Sequence, residues 1–134
     1  MTRANPLTDK EFAELLRFRD ALRGFLHWSE QRARDAGLTP MQHQLLLAIR
    51  GHHGTPTVGD IADHLLLRHH SAVELVDRAE RAGLVTRQVD DIDRRVVRLA
   101  LTPLGDRRIA SLSAAHLEEL TRLQSGLRVR VLGG

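Results

Sequence analysis

The sequence contains no cysteine. This absence excludes disulfides, thiolate nucleophiles, thiolate metal sites and redox sensing by thiol oxidation. The sequence also lacks any apolar run that approaches ~18 residues, so no transmembrane helix is expected. Residues 1–9 lack the apolar centre of a signal peptide. We therefore expect a protein of the reducing cytoplasm with no membrane partner.

Aromatic side chains are scarce, at 3% of the chain with no tyrosine. Those that occur fall in one short stretch, at Phe12, Phe18, Phe25 and Trp28. The rest of the core must therefore be built from Leu, Val, Ile and Ala. A length of 134 residues, of which 42% are hydrophobic, is enough for one domain with a buried core. We expect residues 1–134 to form that single domain.

Positive charge is in modest excess, at a formal net charge of +3, and every basic residue except Lys10 is an arginine. This balance permits nucleic-acid binding without requiring it. Arginine forks match phosphate and guanine better than lysine does. The sequence has no phosphate-binding glycine loop and no local Ser–His–acid arrangement. It therefore favours a binding protein without a cofactor over an enzyme.

Capping signals and hydrophobic periodicity predict helices over about residues 8–36, 40–50, 58–66 and 69–82. The period then changes to that of two strands, about 84–89 and 96–101, on either side of the charged residues 90–95. A last helix begins at Pro103, and its apolar seam follows a heptad-like spacing. The seam consists of Ile109, Leu112, His116, Leu120, Leu123 and Leu127. The predicted fold class is mainly α with a small β-hairpin wing (α+β).

A short helix, a tight connection, a second helix and a hairpin form a winged helix-turn-helix, predicted over about residues 39–101. The second helix of such a unit lies in the major groove of DNA. The tip of the hairpin can reach the minor groove, whose negative potential attracts arginine. The flanking helices, about 8–36 and 103–127, have apolar stripes too long for so small a core. We therefore expect them to be dimerisation helices that pair with a second copy of the chain.

At this level the sequence resembles the MarR family of bacterial transcription regulators over residues 7–123. No single motif carries the resemblance; the order and spacing of several do. They are LTPMQ at 38–42, TVGDIADHL at 57–65, SAVELVDRAERAGLV at 71–85, DDIDRR at 90–95 and LTPLG at 101–105.

The resemblance implies a homodimer that binds double-stranded DNA at a pseudo-palindromic operator and usually represses transcription. Within the wing it assigns Asp93 to orient Arg95, which enters the minor groove, and Arg94 to contact phosphate. The implied DNA-binding residues are Arg68, His69, His70, Ser71, Val73, Glu74, Arg78, Asp93, Arg94 and Arg95.

The resemblance also implies a small lipophilic or aromatic effector, bound in a cleft beside the dimer interface. In this chain His116 has two possible roles, because it interrupts an apolar seam. It either sets the register of the dimer or is a hydrogen-bond partner of the effector. The predicted dimer and cleft residues are Phe12, Phe18, Leu22, Phe25, Trp28, His116, Leu120 and Leu123.

Two positions depart from the family pattern. Arg68 stands where the family often has a serine that caps the recognition helix. Ser71 and Glu74 match an alternative capping box, so the helix could begin later. Glu74 stands where many family members carry a basic or small polar residue. It has two possible roles, as the capping partner of Ser71 or as an acceptor for a cytosine amino group.

Two further functions are compatible with the sequence. A winged helix can be a protein–protein interaction module without specific DNA binding. Some members of the resembling family sense zinc, and Glu30, His43 and His116 fall on the corresponding helices. Because cysteine is absent, such a site would depend on His and carboxylates alone. No two histidines occur at an i, i+4 spacing within one predicted helix, so the sequence predicts no metal site.

Overall fold

A computed structural model describes residues 5–126 of the chain. The elements are α1 (Asp9–Asp35), α2 (Pro40–Gly51), α3 (Val58–Leu65), α4 (His69–Arg81), β1 (Val85–Val89), β2 (Val97–Leu101) and α5 (Pro103–Gly126). Their order and type confirm the predicted mainly α fold with a β-hairpin. Leu127, at the end of the predicted heptad seam, lies outside the described residues.

The first three helices begin at reciprocal threonine caps, as the sequence predicts. The Thr8 hydroxyl accepts from the Glu11 amide, and the Glu11 carboxylate accepts from the Thr8 amide at 3.0 Å. Thr39 forms the same box with Gln42. Each box satisfies amides that the helix leaves without an internal partner. These local signals explain why the helix starts were predictable.

The turn between α3 and α4 is tight and is made without glycine. Leu66 caps α3 in the left-handed conformation, with φ of 55°. The two helices then pack closely, because the inner face of α4 carries the small or β-branched residues Ala72, Val76 and Ala79. These residues bury against the core that includes Ile61. This geometry is that of a helix-turn-helix.

The observed start of α4 decides between the two starts that the sequence left open. The helix begins at His69 with Arg68 as its N-cap, and no side chain caps it. The later start at Ser71 is therefore wrong. Because Ser71 lies inside the helix, Glu74 is not needed as its capping partner and stays exposed on the helix surface.

The hairpin is antiparallel, with Val85 opposite Leu101 and Val89 opposite Val97. It is held to the helices by the segment before α3. The Leu99 amide donates to the Pro56 carbonyl at 2.8 Å, and Thr57 forms an isolated bridge with Arg98. The wing is therefore part of the same core as the helix-turn-helix, and its buried side chains include Val85 and Leu99.

The junction between the wing and α5 is closely packed. The Thr102 hydroxyl donates to the Gly83 carbonyl at 2.6 Å and accepts from the Gly105 amide at 3.0 Å. A Cβ at Gly105 would lie 2.2 Å from the Leu84 carbonyl oxygen. A side chain at this position would therefore force the first turn of α5 away from the start of β1.

The long helices α1 and α5 leave much of their apolar surface exposed. In α1 only Ala33 is buried, whereas Ile109 and Leu112 of α5 join the core. No helix in residues 5–126 is long and apolar enough to cross a membrane. The exposed apolar side chains on the two helices are Phe12, Leu15, Leu16, Leu22, Leu26, Leu117 and Leu120.

Candidate nucleic-acid interface and inter-helix pocket

The helix α4 presents a polar face to solvent. Because Ala72, Val76 and Ala79 face the core, the intervening positions point outward. Of the predicted DNA-binding residues on and before this helix, Ser71 and Val73 are partly buried. The exposed ones are Arg68, His69, His70, Glu74 and Arg78.

An ion-pair network that sequence reasoning missed fixes α4 to the wing. The Arg87 guanidinium on β1 donates to the Glu80 carboxylate at 2.8 Å and also to Asp77. These hydrogen bonds, Asp77 first, raise the pKa of Arg87. One guanidinium is thereby paired with two acidic side chains of the helix. No local signal could have found this network, because Arg87 follows Asp77 by 10 residues.

The loop at the wing tip is organised by Asp90. Its carboxylate accepts from the amides of Asp93 at 2.8 Å and Ile92 at 3.2 Å, and from the Arg98 side chain at 3.1 Å. The Asp93 backbone bond, followed by the Arg98 bond, lowers the pKa of Asp90. Arg98 also donates to the Thr55 carbonyl at 2.8 Å. The base of the wing is thus tied to the segment before α3.

Asp93 and Arg95, for which the resemblance implies a joint role, form a two-pronged contact. Arg95 Nε lies 3.0 Å from Asp93 Oδ1, and Nη2 lies 3.1 Å from Oδ2. The hydrogen bond from Arg95 lowers the pKa of Asp93. The Arg95 side chain is nevertheless 89% exposed. The carboxylate therefore restricts the direction of a guanidinium that stays accessible, and Arg94 beside it is exposed too.

The start of α4 and the wing border one open cleft of about 450 Å³. His69 and Val73 contribute from the helix, and Arg95 from the wing. Members of two predicted sets, far apart in sequence, thus line one cleft. The first turn of α3, with Val58 and Gly59, lines the same cleft.

A second cavity, of about 620 Å³, lies between α1, α2 and α5. Of the predicted cleft residues, Phe25, His116 and Leu120 line it. Phe18, Leu22 and Leu123 line a smaller hollow of about 230 Å³ that shares Phe25 and Leu120. Phe12 lines neither and is 57% exposed. The lining residues that sequence reasoning missed are Leu26, Ser29, Pro40, Gln44, Leu47, Ser113 and Leu117.

His116 is fixed on both sides of its ring. Its Nδ1 lies 2.7 Å from the Leu112 carbonyl, which can only accept, so the proton of the neutral ring belongs on Nδ1. Nε2 then accepts from the Ser29 hydroxyl at 2.6 Å. Trp28 packs edge-on against the ring, with centroids 4.8 Å apart. Ser29 could have been found from the sequence, because it follows Phe25 by one helical turn.

His43 lies beside this ring and is 6% exposed. The two imidazole centroids are 4.7 Å apart. Burial first, and then the charge of His116, lower the pKa of His43. Within residues 5–126 no group of three His or acidic side chains is placed to hold a metal ion. The structure therefore does not gather Glu30, His43 and His116 into the zinc set considered from the sequence.

These features define a winged helix-turn-helix protein with a surface-exposed recognition helix, a charged wing and a pocket under the flanking helices. The sequence model of the MarR family matches residues 36–96, which include α2, α3, α4 and β1. Over this segment the chain matches the MarR family.

Individual relatives agree with this assignment. The transcriptional repressor MdtR of Bacillus subtilis is 31% identical over 91 residues, which are 68% of this chain and 58% of MdtR. A MarR family protein from Bacillus stearothermophilus has a similar structure, with a TM-score of 0.74, 26% identity and coverage of 93% of this chain and 85% of that one. The chain spans about half the length of the curated relatives that it matches.

A solved DNA complex has the same fold. The complex of Staphylococcus aureus MepR with DNA matches with a TM-score of 0.72 and 24% identity, covering 84% of this chain and 81% of that one.

Proposed function

We propose that this protein is a sequence-specific DNA-binding transcription regulator, acting in the cytoplasm as a homodimer on a pseudo-palindromic operator. The observation that carries the proposal is the shared surface of α4 and the wing. An exposed helix face and a carboxylate-oriented, exposed Arg95 lie on either side of one cleft. This is the arrangement needed to read a major groove and to enter the neighbouring minor groove.

Individual roles follow from position. His70, Glu74 and Arg78 are exposed on α4 and are proposed to face base edges or phosphates. Ser71 and Val73 would contact DNA only at the helix edge, because both are partly buried. In the wing, Asp93 holds Arg95 for the minor groove, and Arg94 contacts phosphate.

The homodimer is supported by the exposed apolar residues of α1 and α5. Phe12, Leu16 and Leu117 are 57%, 60% and 66% exposed. Leaving so many large apolar side chains of two helices in water costs free energy. A second copy would cover them. The dimer also gives the protein two recognition helices, for successive major grooves about 34 Å apart.

A repressor that responds to a small molecule is the form of regulation that we propose. The inter-helix cavity of about 620 Å³ falls in the size range of small-ligand sites. The exposed surface of its lining is mainly apolar, and its polar side chains are Ser29, Glu30, His43, Gln44, Ser113 and His116. A lipophilic or aromatic effector would regulate DNA binding by its differential affinity for two spacings of the recognition helices.

The test begins with selection of bound genomic fragments by the purified chain, followed by mobility shifts at several salt concentrations. We expect one symmetric sequence to be enriched and its affinity to fall steeply with salt, because phosphate contacts release counterions. Fragments without a common sequence, or binding independent of salt, would instead indicate a protein–protein interaction module.

A further inference from the structure

Three side chains, from the end of α2 and from α3, meet at the helix-turn-helix. His52 caps the end of α2, Asp60 lies in the first turn of α3, and His64 lies in its last turn. His52 and His64 are 12 residues apart in sequence. The proposed function uses none of them.

The two imidazoles approach through single nitrogen atoms. His52 Nδ1 lies 3.0 Å from His64 Nε2, and the rings are nearly perpendicular, at 86°. On the other side of His52, Nε2 lies 3.5 Å from Asp60 Oδ2. The His52 side chain is 23% exposed, so solvent reaches the group while the protein still holds it in place.

Asp60 is a fixed negative charge. Its carboxylate accepts from the Thr57 amide at 2.9 Å, and this bond is the main reason that the pKa of Asp60 is lowered. A carboxylate beside Nε2 favours the His52 tautomer that carries its proton there. The Nδ1 lone pair then points at His64. Metal-binding histidines commonly have this carboxylate behind the ring.

The distance between the two nitrogens is that of neighbouring ligands on one ion. Metal–nitrogen bonds of ~2.0–2.1 Å place adjacent nitrogens about 2.8 Å apart at a right angle and about 3.3 Å apart in a tetrahedron. The observed 3.0 Å lies between these values. An N–H···N hydrogen bond is the other arrangement that this distance allows.

We propose that His52 Nδ1 and His64 Nε2 bind a divalent transition-metal ion of the kind that imidazole prefers, with Asp60 as the positioning residue behind His52. No third His or acidic group completes the set in the described part of the chain. Water molecules therefore fill the remaining positions. The ion would join the end of α2 to the last turn of α3 and so brace the helix-turn-helix.

The site is tested by titrating the chelator-treated full chain with Zn²⁺ and with Cu²⁺, each alone, and with Mg²⁺ as the oxygen-preferring comparison. We expect about one Zn²⁺ or Cu²⁺ per chain at micromolar concentration, no Mg²⁺, and a higher Tm with Zn²⁺ because the ion binds the folded state. The Cu²⁺ spectrum should show coupling to two nitrogens. His52→Gln and His64→Gln should each weaken binding at least tenfold.

Two variants make the result specific. His53→Gln changes the neighbouring exposed histidine and should bind as the natural chain does. Asp60→Asn retains an oxygen for the Thr57 amide but removes the charge, and should weaken binding less than loss of either imidazole.

Unchanged affinity in His64→Gln, or equal loss in His53→Gln, would overturn the site. Absence of binding by the natural chain would do the same and would leave the pair as a hydrogen bond only. DNA is not present in these measurements, so their failure is separate from failure of the proposed function.

Discussion

Leu66 combines two unfavourable properties in one residue. It is 92% exposed and has a φ of 55°, a conformation that costs non-glycine residues about 1–2 kcal/mol. Neither burial nor a hydrogen-bonding side chain compensates for this strain. The tight turn between α3 and α4 therefore exists because the helices on both sides pack together, and not because of its own sequence.

Leu66→Gly should stabilise the protein by about 0.5–1 kcal/mol, because glycine removes the Cβ clash at a small entropic cost. The expected rise in Tm is about 2–5 °C by calorimetry. Leu66→Val is the matched control, since its β-branched side chain fits the left-handed region worse and should lower Tm. If both variants lower Tm equally, Leu66 makes contacts that its exposure does not indicate.

His43 makes stability depend on pH. Burial lowers its pKa in the folded chain, so the unfolded chain takes up a proton at a higher pH than the folded one. The contribution of His43 to the free energy of unfolding is complete above its ordinary pKa of 6.5. This contribution is lost as the pH falls from there towards the lowered pKa of the folded chain. Urea midpoints measured from pH 8 down to 5.5 should show this decline.

His43→Gln should flatten that decline, whatever its effect on stability at pH 8. His69→Gln, at an exposed position, should retain the slope of the natural chain. A slope that His43→Gln leaves unaltered would mean that another group is responsible.

At the level of elements, the Asp93 carboxylate orients the Arg95 side chain of the wing, and burial does not hold it. Arg95→Ala should reduce operator affinity by more than ~1 kcal/mol, and the salt dependence of binding should become shallower by one phosphate-like contact. Fluorescence anisotropy on operator DNA at several salt concentrations measures both.

Asp93→Asn tests how much the orientation of Arg95, as distinct from its charge, contributes to DNA binding by the wing. Its amide keeps one acceptor for Arg95 but loses the two-pronged contact, so affinity should fall less than in Arg95→Ala. Arg17→Ala on α1 is the control for general charge and should leave binding unchanged. Equal affinities of Arg95→Ala and the natural chain would remove the wing from the mechanism.

Helices, strands and their order could be predicted because their signals are local. Thr8 and Thr39 identify helix starts within four residues, and alternation in 97–101 identifies a strand. The partners of side chains were not predictable in the same way. Arg87 meets Asp77, and His52 meets His64, only after the chain has folded. The sequence also left the start of α4 open, because Arg68 gives no side-chain cap. Packing of Ala72 and Val76 against the core determines where this helix begins.

For the molecule as a whole, the scarce aromatic residues mark the proposed subunit interface and its pocket. Phe25 and His116 line the cavity, Trp28 packs against His116, and Phe18 borders the adjoining hollow. The wing and helix-turn-helix need none of them, because their core is aliphatic. Phe12 and Trp28 line neither cavity, and the exposed Phe12 ring stays a predicted dimer contact.

Phe18→Ala should weaken dimerisation by about 1–3 kcal/mol while leaving the selected operator sequence the same, because the residue lies on α1 and not on the DNA-facing surface. Sedimentation equilibrium measures the dimer, and fragment selection measures base preference. Ile92→Ala, at an exposed apolar position of the wing tip, should leave the dimer intact. A fully dimeric Phe18→Ala protein with changed base preference would contradict this placement.

Gly105 has a mechanical consequence. The first turn of α5, which contains Gly105, lies directly on the Leu84 carbonyl. The Thr102 hydroxyl makes a hydrogen bond across the same junction. The 24 residues of α5 extend about 36 Å, so a tilt of ~5° displaces the far end by about 3 Å. Because Gly105 has no side chain, the first turn of α5 is in direct backbone contact with the residue that leads into β1. Under the regulation proposed above, we expect a molecule that separates the helices at one end of α5 to re-orient the surface proposed to face DNA at the other end.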